Sequence, residues 1–133
     1  TALSERGEHV VVTGSDKEEA RARAVALRAQ LPPERVLAGR TGLAELAALV
    51  AGSRLVVCAD TGIAHLSYAY RTPSVVLFGP VPADWWGPPR NGPHIALSVD
   101  SARRGEPFAT SPDPALLGIT PSAVLSSAST LLA

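Results

Sequence analysis

The sequence predicts an α/β fold in which helices cover both faces of a mostly parallel sheet. Short apolar runs alternate with helix-forming stretches along 133 residues. The runs are continuous rather than alternating in polarity, the pattern of strands buried on both sides. With 46% hydrophobic and 18% charged residues, the chain has the composition of a single domain large enough for one core.

The elements follow in order. Residues 9–14 (HVVVTG) form a first strand ending at Gly14, and residues 16–30 are good helix formers with Asp16 as candidate N-cap. Residues 35–39 (RVLAG) form a second strand, and residues 42–50 a helix with leucines at 43, 46 and 49 on one stripe. Residues 54–59 form the third strand, 63–70 the third helix, 74–79 the fourth strand and 94–99 the fifth. Between the last two strands, GPVPADWWGPPRNGP is too rich in proline and glycine for regular structure, and a loop that long is more often functional than accidental. Residues 101–114 also read as loop, after which Thr120 as N-cap and Pro121 at the first helical position open a terminal helix to Leu132.

Several function classes are disfavoured at once. Basic and acidic side chains number twelve each, so no net field draws in nucleic acid or an anionic membrane. No apolar run approaches the roughly 20 residues of a spanning helix, and TALSERGEH lacks the order of a signal peptide, so a cytoplasmic protein is expected. Cys58 is the only cysteine and lies in an apolar run, where it reads as a small buried hydrophobe. Methionine is absent and residue 1 enters what reads as the second half of a helix, so a chain trimmed from a longer protein is expected.

The stretch CADTGIAHLSYAYRTPSVVLFGP, residues 58–80, carries the most chemistry. Asp60, Thr61 and Gly62 fall where a strand ends and a helix begins, the place where parallel α/β sheets bind ligands. Thr61 can cap the helix or give its hydroxyl to a ligand, and Gly62 lets a phosphate approach the backbone. Asp60 is a poor phosphate contact and suits sugar hydroxyls, or else holds turn amides in place. His65 lies one turn on and can donate a hydrogen bond to a phosphate oxygen. The cluster suits a ligand combining phosphate with sugar, although an Asp-Thr-Gly turn is also a common helix start and a lone histidine is usually a satisfied core or edge residue. Three alternatives fail on residues: TGSDKE after the first strand is not G-x-G-x-x-G, the same stretch excludes a Walker loop, and a phosphoacceptor receiver needs a late lysine where Lys17 is the only one.

Residues 43–80, LAELAALVAGSRLVVCADTGIAHLSYAYRTPSVVLFGP, followed by DWWGPP, closely resemble the C-terminal half of the heptosyltransferase family of glycosyltransferases. The resembling features are a D-[ST]-G-x-x-H turn, a small-residue helix and a P-x-V-x-L-F-G-P strand. DPALLGITPSAVL resembles the family's C-terminal helix entry. The resemblance implies one Rossmann-like, three-layer half of a GT-B transferase, lacking the acceptor domain and the first strand of its own domain. It implies a nucleotide-sugar donor such as ADP-heptose, inverting transfer to a glycan or lipid-linked acceptor through the missing domain, and a peripheral position at the inner membrane. By the same likeness Glu18 binds the ribose hydroxyls, with Glu19 as the competing choice. The backbone at Thr41 meets the adenine, Thr61 and Gly62 bind the diphosphate, Asp60 contacts the transferred sugar and His65 supports the phosphate end. The catalytic base is expected in the missing domain, and no metal or cofactor is implied. The other reading is a stand-alone module that binds nucleotide sugars without catalysis. For Trp85 and Trp86, anchoring of the proline-rich loop is preferred over lining a cleft or stacking on a base.

Overall fold

A computed structural model describes all 133 residues, which group into two compact units, Thr1–Leu46 and Ala47–Ala133.

The first unit opens with α1 (Ala2–Glu5). The expected strands 9–14 and 35–39 reduce to one parallel bridge, Val12 with Val36. Val12 N–H donates to Arg35 O at 2.9 Å, Leu37 N–H to Val12 O at 2.8 Å, and Gly39 N–H to Gly14 O at 3.0 Å. The pairing is short because Pro33–Arg35 is held in a 3-10 turn behind Pro32, while Gly39, at φ +71°, ends the extended backbone. The expected helix 16–30 is a 3-10 turn, Asp16–Glu18, running into α2 (Glu19–Arg28). Ser15, not Asp16, is the N-cap: the helical turn begins one residue early, which puts Glu18 at the third position, where its carboxylate reaches back. At the other end Gln30 takes φ +58°, and Gln30 and Leu31 N–H close onto Leu27 and Ala26 carbonyls at 3.1 and 2.9 Å. Ala22, Ala26, Val36 and Ala38 form this unit's core, with Val12 and Leu31 packed against it.

Helix α3 (Leu43–Gly52) begins in the first unit and ends in the second. Val50 is its buried residue, whereas Leu43, expected on the buried stripe, is 76% exposed in the first turn.

In the second unit β1 (Val56–Ala59), β2 (Ser74–Leu77) and β3 (His94–Leu97) form a parallel sheet in that order, with Val56, Ser74 and His94 in register. Val75 and Val76 point to opposite faces of the central strand and both are fully buried. Helix α4 (Gly62–Tyr70) packs on β1 and β2, and α7 (Pro121–Leu132) on β2 and β3, giving the expected α/β layering. Ala64 of α4 meets Val76 and Phe78 in the core, and Cys58, Tyr68 and Ala83 pack against them. The Cys58 thiol is pushed up to about 11 by burial first and Asp60 second, so it stays protonated, consistent with a packing role.

The proline-rich stretch is more regular than expected, because Ala83–Trp86 forms a single helical turn, α5. Gly87 closes it: its N–H donates to Ala83 O at 2.6 Å, and a Cβ on Gly87 would fall 2.1 Å from that oxygen. The tryptophans do not anchor the loop. Trp85 and Trp86 are 72% and 59% exposed, and Ala83 makes the core contact instead.

The stretch 101–114 is likewise organised, around Asp113. This carboxylate, 3% exposed, accepts from Ala115 N–H at 2.9 Å, Gly105 N–H at 3.0 Å and Arg104 N–H at 3.2 Å, capping α6 (Pro114–Leu117) while pinning the returning loop. Beside it Arg103 donates to Gly79 O, Asp100 Oδ1 and, at 3.0 Å, Ser98 Oγ, tying the segment after β2 to the one after β3. Burial works to raise the Asp113 pKa, but the three N–H donors and Arg104 outweigh it and hold it below the ordinary carboxylate range. A carboxyl lowered by folding stabilises fully above its unfolded pKa and loses that contribution as pH falls through the lower folded value. Protection of the Arg104 and Gly105 amides, measured against their intrinsic exchange rates, is therefore expected to fall selectively on acidification, and Asp113→Asn is expected to lower it already at pH 7. Equal protection in both proteins across the range would contradict this role. The terminal helix is as expected, with Thr120 Oγ1 accepting from Ala123 N–H at 3.2 Å.

Candidate functional site

The turn that joins β1 to α4 is built by the sheet on one side and the helix on the other. Asp60 N–H donates to Leu77 O at 3.2 Å, extending the ladder one residue beyond β1 and fixing where the turn begins. Thr61 is extended, at φ −145° and ψ 177°, and occupies the N-cap position of α4. Its hydroxyl does not cap the helix. Instead it points back to Ala59 O at 3.4 Å, a weak contact for a hydroxyl. Asp60, half-buried, likewise spends no hydrogen bond on the turn amides, so that structural alternative is not the one the fold adopts.

Gly62 is not demanded by the protein's own packing. A Cβ there would meet no atom within 4 Å, and the residue already lies in right-handed helix. His65 is exposed one turn further on, its ring in edge contact with Tyr68 at 5.6 Å between centroids and 86° between planes. The turn thus brings together a carboxylate, a hydroxyl, helix-terminal amides and an imidazole. Chemically, the amides and imidazole can hold an anion and the carboxylate can accept hydroxyl groups.

Behind His65, sequence reasoning missed two residues. Tyr68 lies between His65 and His94, 5.0 Å from the latter ring, and its phenol is pushed up to about 12, by burial first and by Cys58 and Asp60 after it. His94 shares a 2.8 Å hydrogen bond with Ser74 through Nδ1, and its pKa is lowered by burial and then by Arg71. A tyrosine three residues after a histidine on one helix was the available signal; that of His94 lay only in strand register.

In the first unit the two expected contacts sit on adjoining turns. Glu18 Oε2 accepts from Ser15 N–H and Oγ–H at 2.8 Å each, and the backbone and then side-chain donors of Ser15 hold its carboxyl below the ordinary range. Glu19 is engaged differently, taking Arg23 Nε and NH2 at 2.9 and 2.6 Å on the helix surface. Thr41 follows the Gly39 turn, and a Cβ on Gly39 would come within 3.1 Å of Asp16 Cα, so the turn carrying Thr41 abuts the one leading to Glu18.

A parallel sheet layered by helices, with polar groups gathered at the carboxyl end of a strand, defines the Rossmann-like class of ligand-binding α/β proteins. Comparison with known proteins narrows this. Residues 1–106 match the family model of glycosyltransferase family 9 (heptosyltransferase). Lipopolysaccharide heptosyltransferase 3 of Escherichia coli is 38% identical over 89 residues, which cover 65% of this chain and 26% of that protein. The structure of E. coli ADP-heptose LPS heptosyltransferase II superposes with a TM-score of 0.76 at 28% identity, over 98% of this chain and 38% of that one. A glycosyl transferase family 9 structure from Veillonella parvula shares the fold, with a TM-score of 0.77 at 22% identity over the same shares. The chain belongs to glycosyltransferase family 9, the heptosyltransferases. It spans about a quarter of the length of the curated relative, and no helix in it is long and apolar enough to cross a membrane.

Proposed function

We propose that this chain supplies the donor-binding side of a heptosyltransferase-like sugar transfer, holding an ADP-sugar while an acceptor and a general base come from residues outside it. The observation that carries the reading is the β1–α4 turn, where Asp60 and the first amides of α4 are not consumed by the fold and the Thr61 hydroxyl makes only a weak 3.4 Å contact to Ala59 O. Thr61 and Gly62 take the diphosphate, His65 donates to its terminal oxygens, and Asp60 accepts hydroxyls of the transferred sugar, which is a heptose if the donor is that named for the E. coli relative. The chemistry asked of this chain is leaving-group stabilisation: α4 directs its positive end at charge that grows on the departing diphosphate.

For the first unit the proposed contacts are Glu18 to ribose hydroxyls and the Thr41 backbone to adenine. Glu18 is favoured over Glu19 because its carboxylate is fixed by the cap, whereas Glu19 is drawn into the Arg23 pair. The acceptor is a lipid-linked glycan, transfer proceeds with inversion, and the protein works in the cytoplasm at the inner membrane surface. The whole enzyme includes an acceptor domain and a further strand beyond these residues.

Calorimetric titration with ADP, UDP and GDP tests the donor assignment. ADP is expected to bind best, Thr61→Val and Glu18→Gln to weaken it by about fivefold each, the size of one ordinary hydrogen bond lost. Asp60→Ala is expected to matter only when a sugar is attached to the diphosphate. A folded chain that binds none of the three, or variants that bind as the parent does, would overturn the reading.

A further inference from the structure

We infer that Tyr68 is a positioning residue for His65, acting through its ring and held in turn by His94; the inference rests on the reading of His65 as a phosphate contact. In a helix an aromatic side chain reaches back over the preceding turn, and three residues bring Tyr68 onto the face of His65. The structure shows that contact, at 5.6 Å and nearly perpendicular, the geometry in which a ring edge meets a ring face.

The other side of Tyr68 is braced as well. Strand register sets His94 beside Ser74, and Ser74 shares a face with Val76 and Phe78, which α4 covers. His94 Nδ1 and the fully buried Ser74 hydroxyl lie 2.8 Å apart, and the His94 ring meets Tyr68 at 5.0 Å. Gly92 is required for this arrangement, since a Cβ there would sit 2.3 Å from His94 Cδ2. Tyr68 Oη and His94 Nε2 are both buried without a hydrogen-bond partner. Such groups weigh against stability. A phenylalanine at 68 would pack the same ring without the orphaned hydroxyl, so the positioning of His65 is assigned to the ring of Tyr68 and not to its hydroxyl. An exposed imidazole otherwise samples several rotamers, and a neighbour that confines it removes an ordering cost from ligand binding.

The test is a double-mutant cycle on this chain, read by calorimetric titration with ADP. His65→Gln and Tyr68→Leu are each expected to weaken ADP by about fivefold, and the double variant by about fivefold again rather than about twenty-fivefold, because one acts through the other. Tyr68→Phe, which keeps the ring, is expected to stay within about twofold of the parent. In NMR spectra the His65 ring protons are expected to carry a ring-current shift that Tyr68→Phe keeps and Tyr68→Leu abolishes. Additive losses, or His65 shifts insensitive to Tyr68→Leu, would overturn the inference. Should Tyr68→Leu fail to fold, cross-ring contacts between His65 and Tyr68 in the parent decide, their absence counting against it. If His65→Gln leaves ADP affinity unchanged, the phosphate role of His65 fails by itself, and the ring shifts still judge the positioning.

Discussion

Gly62→Val is expected to reduce ADP affinity by more than about tenfold, a loss of over about 1.4 kcal/mol of binding free energy, while leaving thermal stability unchanged or slightly raised. The asymmetry follows from where the glycine sits. No protein atom lies within 4 Å of the position a Cβ would take, and the backbone is ordinary right-handed helix, so the fold loses nothing. Valine is in fact a better helix residue than glycine by a few tenths of a kcal/mol. A diphosphate seated on the Gly62 amide, by contrast, would meet the branched side chain directly. Calorimetry and a melt monitored by circular dichroism check both halves. Unchanged affinity in a folded variant would remove the phosphate from this turn, and a large drop in melting temperature would mean that the glycine is structural after all.

The largest effect on stability is expected from Phe78→Ala, at about 4 kcal/mol. Phe78 is fully buried, packs against Ala64 and Val76, and donates its N–H to Leu97 O at 2.8 Å, so the cavity would open beneath α4 with little freedom to collapse. That is a large share of the roughly 5–15 kcal/mol that holds a typical domain together. Urea denaturation should show a lower midpoint with an unchanged slope. Phe78→Leu should cost less, about 1 kcal/mol, since most of the volume is kept. Because Ala64 belongs to the first turn of α4, the alanine variant is also expected to weaken ADP binding; equal midpoints for all three proteins would show that the core lies elsewhere.

Legibility in the sequence depended on how local the cause was. Thr120 and Pro121 declared the start of α7 correctly because a cap is decided within four residues. Strand β2 was readable because burial on both faces leaves a continuous apolar run, SVVL, whereas β1 carries a like run with Val57 and Ala59 exposed on one face, and each strand proved only four residues long. Residues 9–14 carry the same kind of run, yet pair only at Val12, because the partner segment is cut short by Pro33–Arg35 and Gly39. Asp16 and Ser15 are both good cap residues, and only the position of Glu18 separates them. The helical turn at Ala83–Trp86 was hidden by the prolines and glycines around it, one of which, Gly87, closes it. At the candidate site the residues of the β1–α4 turn were legible, since a strand end, a cap and a helix start are neighbours in sequence. The bracing of Tyr68 by His94 was not, being set by strand register between residues 26 positions apart. Asp113 was missed for a similar reason, as its donors Arg104 and Gly105 lie nine and eight residues upstream.

The exposed turn α5 also decides how this protein can be watched. Both of its tryptophans, Trp85 and Trp86, are on that turn and face water. Their fluorescence in the native chain should already resemble that of the indole side chain in solvent, with a red-shifted maximum and ready quenching by acrylamide. Emission would then change little when β2 and its helices come apart. An optical signal usually taken for global unfolding would here report one surface turn, and would serve better to detect whatever docks beside it.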